Sequence, residues 1–301
     1  MKNGLSILLC LLFPASLSFA QIDSLQHRIE RLCASKNATV GVAVAALESG
    51  ETFSVNGEKH FPMQSVYKFH LALAVLYRVD KGELSLQQKV FVSKKDLLPA
   101  TWSPLREKYP EGSISLPLSE ILRYTVSESD NNGCDILFKL LGGTDTVNGY
   151  IHSLGIKNAA IAATEQEMHH AWNVQYTNWS TPIAAVNLLK QFYQSHILSQ
   201  SSREILLQWM IETSTGPNRI KGLLPQGTMV AHKTGSSGTN EKGITAAMND
   251  IGILTLPDGN HIALAIFVSN SSEDEKSNDQ TIATIAKTVW DYFELQHQAV
   301  K

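Results

Sequence analysis

A serine and a lysine three residues apart, Ser65 and Lys68, open an apolar stretch with helical spacing. On a helix this spacing puts a hydroxyl and an amine on one face. A serine hydroxyl becomes a nucleophile when a nearby base removes its proton, and a lysine can be that base if burial or a second cation lowers its pKa. Taken alone, the pair fits an ordinary helix start equally well, with Ser65 as N-cap and Lys68 in solvent.

Two more polar clusters follow along the chain. Residues 129–131 (Ser-Asp-Asn) lie between two runs with helical spacing and supply a hydroxyl that can pass a proton and an amide that can donate and accept. Residues 233–236 (Lys-Thr-Gly-Ser) end a predicted strand and combine a fixed charge, two hydroxyls and a glycine that lets a substrate approach the backbone. By itself, each cluster also fits a helix-capping loop or a strand end.

Two glutamates in a long loop, Glu165 and Glu167, complete the candidate set. A loop carboxylate can act as general base on a water, although most loop glutamates are simply solvated. Position alone does not choose between the two. The four features nevertheless occur in one chain in this order, and a coincidence of all four is remote.

The elements that would position these residues come in blocks. Strand signals occur near both ends of the chain, and helical spacing dominates the middle. Because an isolated N-terminal hairpin is marginal in water, we expect it to join the C-terminal strands in one antiparallel sheet of about five strands. The predicted fold is α/β (α+β), with helices flanking this sheet and an all-helical lobe beside it. The predicted strands are 39–47, 52–55, 228–236, 246–256 and 261–268. The predicted helices are one that begins at residues 23–24 and carries apolar residues through 33, and 65–79, 118–126, 134–141, 147–154, 182–192, 203–211 and 279–295.

The domain organisation follows from these blocks. The sheet lobe is predicted from about residues 21–61 and 216–301, and the helical lobe from about 62–215, within one catalytic domain of residues 21–301. Residues 155–180 show no convincing helix or strand, and a loop of that length in a compact domain is usually functional. A cleft between a helical lobe and a sheet edge is a natural ligand site.

Composition narrows the class of protein. The chain has 301 residues, 43% of them hydrophobic and 18% charged, which is enough for a sizeable core. The net charge of −3 comes without a basic cluster, which argues against nucleic acid or an anionic membrane surface as partner. Cys33 and Cys134 each lie in an apolar helical pattern, so we expect two buried thiols, although a secreted chain could pair them.

The first twenty residues are typical of a secretory signal. Lys2 gives a positive start, residues 5–17 are mostly apolar, and residues 18–20 form a small-x-small cleavage site before Gln21. The apolar stretch is too short for a spanning helix. Cys10 raises a lipoprotein alternative, which the large residue before it disfavours. The mature protein is therefore predicted to be periplasmic, without a stable membrane anchor.

The four motifs together resemble the class A serine β-lactamases. The resemblance covers the whole mature chain. Residues 60–64 (His-Phe-Pro-Met-Gln), 165–169 (Glu-Gln-Glu-Met-His) and 236–239 (Ser-Ser-Gly-Thr) further resemble the PER/VEB-type extended-spectrum branch. The resemblance implies the fold shared by serine β-lactamases and penicillin-binding transpeptidases. It also implies hydrolysis of penicillins and cephalosporins, oxyimino-cephalosporins among them, through a serine acyl-enzyme that confers antibiotic resistance.

Catalytic roles also follow from the resemblance. Ser65 would attack the β-lactam carbonyl, and Ser129 would pass a proton to the leaving nitrogen. Glu165 would activate the deacylating water. Whether Lys68 or Glu165 takes the acylation proton stays open.

The resemblance implies a second set of residues that bind the substrate. The backbone N–H groups of Ser65 and Ser236 would form the oxyanion hole. Asn131 would bind the substrate side-chain amide, while Lys233 and neighbouring hydroxyls would hold its carboxylate. The full predicted binding set is Asn131, Lys233, Thr234, Gly235, Ser236, Arg219 as an extra cation, Trp102 as an aromatic gatepost, His169 and Ser237.

Some positions depart from the commoner pattern of the class. His169 could still orient a water or could only pack, and His170 beside it lacks a visible third ligand for zinc. The ion pair that usually closes the long loop cannot form, because Ala163 and Asn178 occupy its places. We predict that Asp135 accepts a hydrogen bond from the Asn178 amide instead; the alternative is that Asp135 only favours its own helix N-terminus.

Two other functions compete with β-lactam hydrolysis. A penicillin-binding D-Ala-D-Ala carboxypeptidase or transpeptidase shares the serine and lysine motifs, but lacks a dedicated deacylating base such as Glu165. A catalytically inactive binding or sensor domain is disfavoured by the intact Ser65, Lys68 and Glu165. For the leading function we expect small-molecule β-lactams as the only partners, a monomer, and neither cofactor nor metal.

Overall fold

A computed structural model describes residues 15–194 and 197–300 of the chain. Most of the predicted signal segment lies outside the described residues, and residues 15–20 begin the first helix. The strands are β1 (Thr39–Ala46), β2 (Thr52–Val55), β3 (Phe61–Pro62), β4 (Lys89–Val92), β5 (Ile114–Pro117), β6 (Ala159–Ala160), β7 (Trp179–Ser180), β8 (Val230–Ser236), β9 (Thr245–Thr255) and β10 (His261–Ser271). The helices are α1 (Ala15–Ala34), α2 (Tyr67–Asp80), α3 (Pro104–Lys108), α4 (Leu118–Ser127), α5 (Asn131–Leu141), α6 (Thr144–Ser153), α7 (Glu165–Met168), α8 (Pro182–Gln194), α9 (Gln200–Ile211) and α10 (Glu275–Val300).

A five-stranded antiparallel sheet, in the order β2-β1-β10-β9-β8, joins the two ends of the chain as predicted. Alternate residues of β1 enter different cores, since side chains alternate across a strand. Val42 packs in the cluster that includes α1 and α10, whereas Ala43 packs in the cluster that includes α8 and the helical lobe. The sheet is thus covered on both faces, and β8 lies at the edge beside the helical lobe.

Helix α2 runs through the centre of the helical lobe. Residues 67–76 are all buried, so the helix needs apolar side chains around its whole circumference rather than on one stripe. Lys68 and His70 are the polar exceptions, and burial lowers the pKa of His70 to about 4. A single 3₁₀ turn, Gln64–Val66, precedes the helix. The predicted helix therefore exists, but its first residues are wound more tightly.

The segment 155–180 differs from the structureless loop expected from sequence. It holds α7, a 3₁₀ stretch (Trp172–Thr177) and the two-residue strands β6 and β7, which pair with β3 in a small second sheet. The antiparallel pair formed by β4 and β5 was also missed. Elements of two to four residues carry too few positions to show a period.

Both cysteines of the described residues are buried and free, as expected from the sequence. Burial raises the pKa of the Cys33 thiol to about 12. In residues 15–194 and 197–300, no helix has the length and apolarity needed to cross a membrane.

Candidate active site

The candidate nucleophile lies on the tight turn that leads into α2. Ser65 does not cap a helix, because no side-chain capping bond forms there. The residue before it, Gln64, has φ +47°, a left-handed conformation that is uncommon outside glycine. The Gln64 amide donates to Gln175 Oε1 over 2.6 Å and so ties this turn to the 155–180 segment. Sequence alone gave no signal for this tie, because neither a strained φ nor a contact 111 residues away leaves a local pattern.

Lys68 joins the groups around the nucleophile. Its side chain is fully buried, and Nζ donates to Ser65 Oγ over 2.9 Å, to the backbone oxygen of Ser129 over 2.8 Å, and to Asn131 Oδ1. Glu165 Oε1 lies 3.0 Å from the same nitrogen, at ion-pair distance but without the alignment of a hydrogen bond. The structure therefore places the nucleophile and the loop carboxylate on one ammonium group.

The short helix α7 separates the two loop glutamates. Glu165 is 6% exposed and faces Lys68. The Glu167 carboxylate turns back and accepts from the backbone and hydroxyl of Thr164, forming a capping box at the start of α7. Of the two carboxylates that sequence left open, the geometry brings only Glu165 to the nucleophile.

Asp135 fixes Glu165 from the other side. Its two carboxylate oxygens accept the backbone N–H of Glu165 over 2.8 Å and of Gln166 over 2.9 Å. Two orphan donors at the α7 N-terminus are satisfied by a side chain from α5. Burial, followed by the negative charge of Glu165, raises the pKa of Asp135 to about 6.

The predicted hydrogen bond between Asp135 and Asn178 is wrong. The fully buried Asn178 accepts from the backbone N–H of Ala162 and Ala163 over 2.7 and 2.9 Å, and donates to the Ala163 carbonyl over 2.7 Å. Asp135 instead binds the start of α7. Buried backbone donors need acceptors, so each side chain pairs with loop backbone rather than with the other. The alternative that Asp135 serves only its own helix is wrong as well.

The loop before α5 lies between two lysines. Ser129 has φ +58°, its carbonyl accepts from Lys68, and its hydroxyl accepts from Lys233 Nζ over 2.8 Å. Asp130 has a structural part, since it caps α5 through Gly133 N–H and accepts from Leu105 N–H, both over 2.7 Å. Burial raises the pKa of Asp130, while these hydrogen bonds oppose the shift. The serine of this motif is thus held ready to exchange a proton, and the aspartate holds the loop.

Lys233 is fully buried on β8. Its Nζ donates to Ser129 Oγ and to the Thr234 carbonyl, and among the described residues no carboxylate lies at ion-pair distance from it. Burial depresses its pKa well below the usual range, and the nearby charge of Lys68 adds to the effect. An anionic group of a substrate would therefore gain the most binding free energy beside Lys233.

The glycine of this motif allows the sheet edge to touch the nucleophile turn. A Cβ on Gly235 would lie 2.4 Å from the Met63 carbonyl and 3.2 Å from the Ser65 nitrogen, so only glycine fits. In an antiparallel strand, successive backbone N–H groups point to opposite sides. Ser237 N–H donates to the Ala247 carbonyl on β9, so Ser236 N–H points away from β9, toward the cleft. The two predicted oxyanion donors thus come from adjacent backbone segments.

Arg219 lies behind the end of β8 and is 4% exposed. Its Nε donates to Asp279 Oδ1 over 2.8 Å, Nη2 to Ser236 Oγ over 2.7 Å, and Nη1 to the Asn249 carbonyl over 3.0 Å. The guanidinium therefore supports the Ser236 hydroxyl from behind. Asp279, on α10, was not foreseen because nothing in its local pattern distinguishes it from a solvated helix residue.

A cavity of about 330 Å³ opens over these groups, lined by Ser65, Asn131, Glu165, Ser236 and Ser237 among others. His169 also lines it, with Nε2 3.0 Å from Thr101 Oγ1. That hydroxyl accepts from Asn131 Nδ2, so its own hydrogen is available to donate to the imidazole.

The aromatic residue that lines this cavity is not the predicted one. Trp102 is 57% exposed and lies outside the lining, with its indole N–H bonded to the Glu128 carbonyl. Trp172, 36% exposed, lines the cavity instead. Across the described ranges, no group of three or more His, Cys, Asp or Glu side chains is arranged to hold a metal ion.

Comparison with known proteins identifies the family to which the chain belongs. A sequence model described as "Beta-lactamase2: Beta-lactamase enzyme family" matches residues 24–293. The chain belongs to the beta-lactamase enzyme family. It is 48% identical to beta-lactamase VEB-1 of Pseudomonas aeruginosa, over 97% of this chain and 98% of that protein, and 46% identical to the extended-spectrum beta-lactamase PER-1 of the same organism, over 95% and 93%. A crystal structure of the TLA-3 extended-spectrum beta-lactamase is 60% identical, with a TM-score of 0.89 over 90% of this chain and 99% of that one.

Family membership confirms the class A serine β-lactamase predicted from sequence, its extended-spectrum branch and its fold. It also confirms the predicted reaction, hydrolysis of β-lactam rings, and leaves the penicillin-binding carboxypeptidase or transpeptidase without support. The individual roles of the site residues stay predictions, because the comparisons concern whole chains.

Proposed function

We propose that this β-lactamase opens the ring by attack of Ser65 Oγ and releases the product with a water activated by Glu165. The observation that carries this proposal is the shared ammonium of Lys68, 2.9 Å from Ser65 Oγ and 3.0 Å from Glu165 Oε1. An ammonium has no free lone pair, so Lys68 can take the serine proton only after it has passed one of its own three protons to Glu165. The neutral amine then accepts the proton of Ser65 Oγ, and Glu165 holds one proton at the end of the step.

Ser129 completes the acylation step. When the ring C–N bond breaks, the leaving nitrogen needs a proton, and the Ser129 hydroxyl can donate one. Its oxygen already accepts from Lys233, whose pKa is depressed by burial, so the serine is resupplied from a cation that releases its proton more readily than an exposed lysine. The developing negative charge on the carbonyl oxygen meets the backbone N–H groups of Ser65 and Ser236.

Substrate recognition uses the sheet edge and the rim of the cavity. Lys233, with the hydroxyls of Thr234 and Ser236, receives the substrate carboxylate, and Arg219 supports Ser236 from behind. Asn131 keeps one amide hydrogen for the substrate side chain, because its oxygen accepts from Lys68 and its other hydrogen goes to Thr101.

Glu165→Ala tests the mechanism, with Glu167→Ala as a matched control from the same helix. We expect Glu165→Ala to keep some acylation and to lose deacylation, so that mass spectrometry detects a lasting covalent adduct on Ser65. Glu167→Ala should turn over a chromogenic cephalosporin at nearly the normal rate, because its carboxylate only caps α7. Unchanged turnover in the first variant, or an adduct in the second, would contradict the assignment.

We further propose that oxyimino-cephalosporins are among the substrates. The relatives PER-1 and TLA-3 are named extended-spectrum enzymes, and the cavity of this chain extends along Ser237 and Gly238 past the carboxylate site. Comparing kcat/KM for an oxyimino-cephalosporin and a simple penicillin tests this, and a ratio below about 10⁻³ would contradict it.

The predicted signal segment leads us to propose export to the periplasm with cleavage before Gln21. We also propose that the mature protein acts as a monomer. The N-terminal sequence and the native mass of the mature protein test these two points.

A further inference from the structure

A buried histidine–aspartate pair lies beneath the sheet wall of the active site, outside the groups used so far. His232 on β8 and Asp250 on β9 are both fully buried, with His232 Nδ1 2.9 and 3.0 Å from the two carboxylate oxygens. Gly252 lies directly across from His232, where the two strands approach closely: a Cβ there would lie 2.5 Å from the Ala231 carbonyl oxygen and 2.8 Å from the His232 Cβ. Only glycine therefore fits beside the pair.

The hydrogen-bond partners orient the ring. His232 Nε2 is buried and has no partner among the described residues. A hydrogen on that nitrogen would be an unsatisfied buried N–H, which is costly, so the donor that reaches Asp250 is Nδ1. The negative charge of Asp250 opposes the depression of the Lys233 pKa by burial.

Asp250 touches the two elements that carry the cations of the carboxylate site. It lies directly across the ladder from Thr234, next to Lys233 in the strand. Its Oδ2 also accepts the backbone N–H of Ile220 over 3.2 Å, and Ile220 follows Arg219 at the start of the 3₁₀ turn 220–223. One carboxylate thereby links β8 to the Arg219 turn.

The segment that connects α9 to this turn runs along the same strand. The Thr213 hydroxyl donates to the His232 carbonyl over 2.7 Å, and the hydroxyls of Thr215 and Thr234 are 2.6 Å apart. Gly216 has φ +60°, and a Cβ there would meet Thr234 Cγ2 at 2.7 Å. The segment therefore lies flat on β8, and Asp250 anchors its far end.

We propose that His232 and Asp250 are positioning residues, which set the distance between the Arg219 turn and the Lys233 strand and thereby the fit of the substrate carboxylate. This inference rests on the proposed function of Lys233 and the Ser236 hydroxyl as the carboxylate site, with Arg219 supporting that hydroxyl. The histidine orients the aspartate, and the aspartate holds the turn. Loss of the pair should weaken binding of a carboxylate without slowing chemistry on the ring.

Two substitutions of His232 form a matched test. His232→Asn keeps an N–H near the place of Nδ1, whereas His232→Leu removes the donor at similar volume. For a cephalosporin with its free carboxylate, we expect the Leu variant to lose about ten-fold in kcat/KM, mainly through a higher KM, and the Asn variant to recover most of it. The rate with the methyl ester of the same cephalosporin should change less than about two-fold in both variants.

Three outcomes would overturn the inference. Equal losses on acid and ester would indicate general damage to the fold, as would a fall in kcat at constant KM. A Leu variant as active as the Asn variant would remove the histidine from the argument. If the Leu variant does not fold, Asp250→Asn replaces it, because it keeps the shape and removes the charge, and the same acid-to-ester comparison applies. Arg219→Ala serves as reference: if it fails to distinguish acid from ester, the proposed carboxylate site fails rather than the positioning pair.

Discussion

The two walls of the cleft are held in place by different means. On the sheet wall, Lys233 lies in the edge strand β8, and the repeated backbone hydrogen bonds of its ladder with β9 fix it. On the loop wall, Glu165 begins a four-residue helix that could not persist alone. Its position depends on side chains from distant elements, chiefly Asp135 and Asn178.

This difference separates the two half-reactions. In the proposed mechanism, groups on the sheet wall bind and polarise the substrate, and a ladder tolerates the loss of any single side chain. In the same mechanism Glu165 on the loop wall is the deacylating carboxylate, and its position depends on a few hydrogen bonds. We therefore expect single substitutions behind the loop to damage deacylation and stability together, and substitutions behind the sheet to damage binding.

The largest effect is expected for Asn178→Ala. The change leaves the N–H groups of Ala162 and Ala163 and the Ala163 carbonyl without a partner in a buried site. At about 1–3 kcal/mol for each unsatisfied group, with partial relaxation, we predict a loss of roughly 3–5 kcal/mol in the free energy of unfolding. Urea unfolding measures it, and Asn178→Asp, which keeps the acceptor and loses the donor, should lose less. A loss below about 1 kcal/mol in the Ala variant would show that water replaces the amide.

The second prediction concerns the pH dependence of stability. The pKa of Asp135 is raised by burial from 3.8 to about 6. A carboxyl with a raised pKa binds its proton more tightly in the folded state, so its contribution is fully present below about 4 and is lost as pH rises through about 6. Between pH values of about 3 and about 7, this residue alone should lower the free energy of unfolding by about 3 kcal/mol.

Asp135→Asn provides the control for that prediction. Its stability should depend less on pH between about 4 and 6, because the titrating group is gone. Parallel curves for the two proteins would assign the pH dependence elsewhere. The deacylation rate should likewise depend more on pH in the unchanged protein than in Asp135→Asn, since Asp135 holds the Glu165 backbone.

The two walls also differ in how well they could be predicted from the sequence. The strands of the main sheet and the long helices were predicted because each spans enough residues to show a period. Ser65, Lys68 and Lys233 could be named as candidates because their motifs are contiguous, and the structure brings them together. The short elements of segment 155–180 and its ties were missed or mispaired. Asn178 and Gln175 bond to backbone and to Gln64, and such contacts depend on the folded path of the chain rather than on neighbouring letters.

On the sheet wall, Arg219→Ala should act on binding alone. The guanidinium supports the Ser236 hydroxyl, and the loss of a charged hydrogen bond should weaken kcat/KM by roughly 1–3 kcal/mol. The rate at which an already formed acyl-enzyme hydrolyses should stay the same, because the hydrogen bonds of Arg219 within the described part of the chain go to Asp279, β8 and β9 rather than to the loop wall. Single-turnover kinetics separate the two steps. Slower deacylation in this variant would contradict the division between the walls.

The smallest effect belongs to Glu167→Ala, and it tests whether the loop wall depends on its local cap or on its distant ties. The Glu167 carboxylate accepts from Thr164 N–H and hydroxyl, so its loss removes half of the capping box. A cap of this kind contributes about 1 kcal/mol, and the Thr164 hydroxyl can still accept from Glu167 N–H over 3.2 Å. The Asp135 bonds to Glu165 and Gln166 remain in this variant. We therefore expect thermal unfolding to report a loss of about 1 kcal/mol or less, with deacylation within about two-fold of normal. A deacylation defect as large as that of Asn178→Ala would mean that the cap, rather than the ties from α5 and Asn178, sets the position of Glu165.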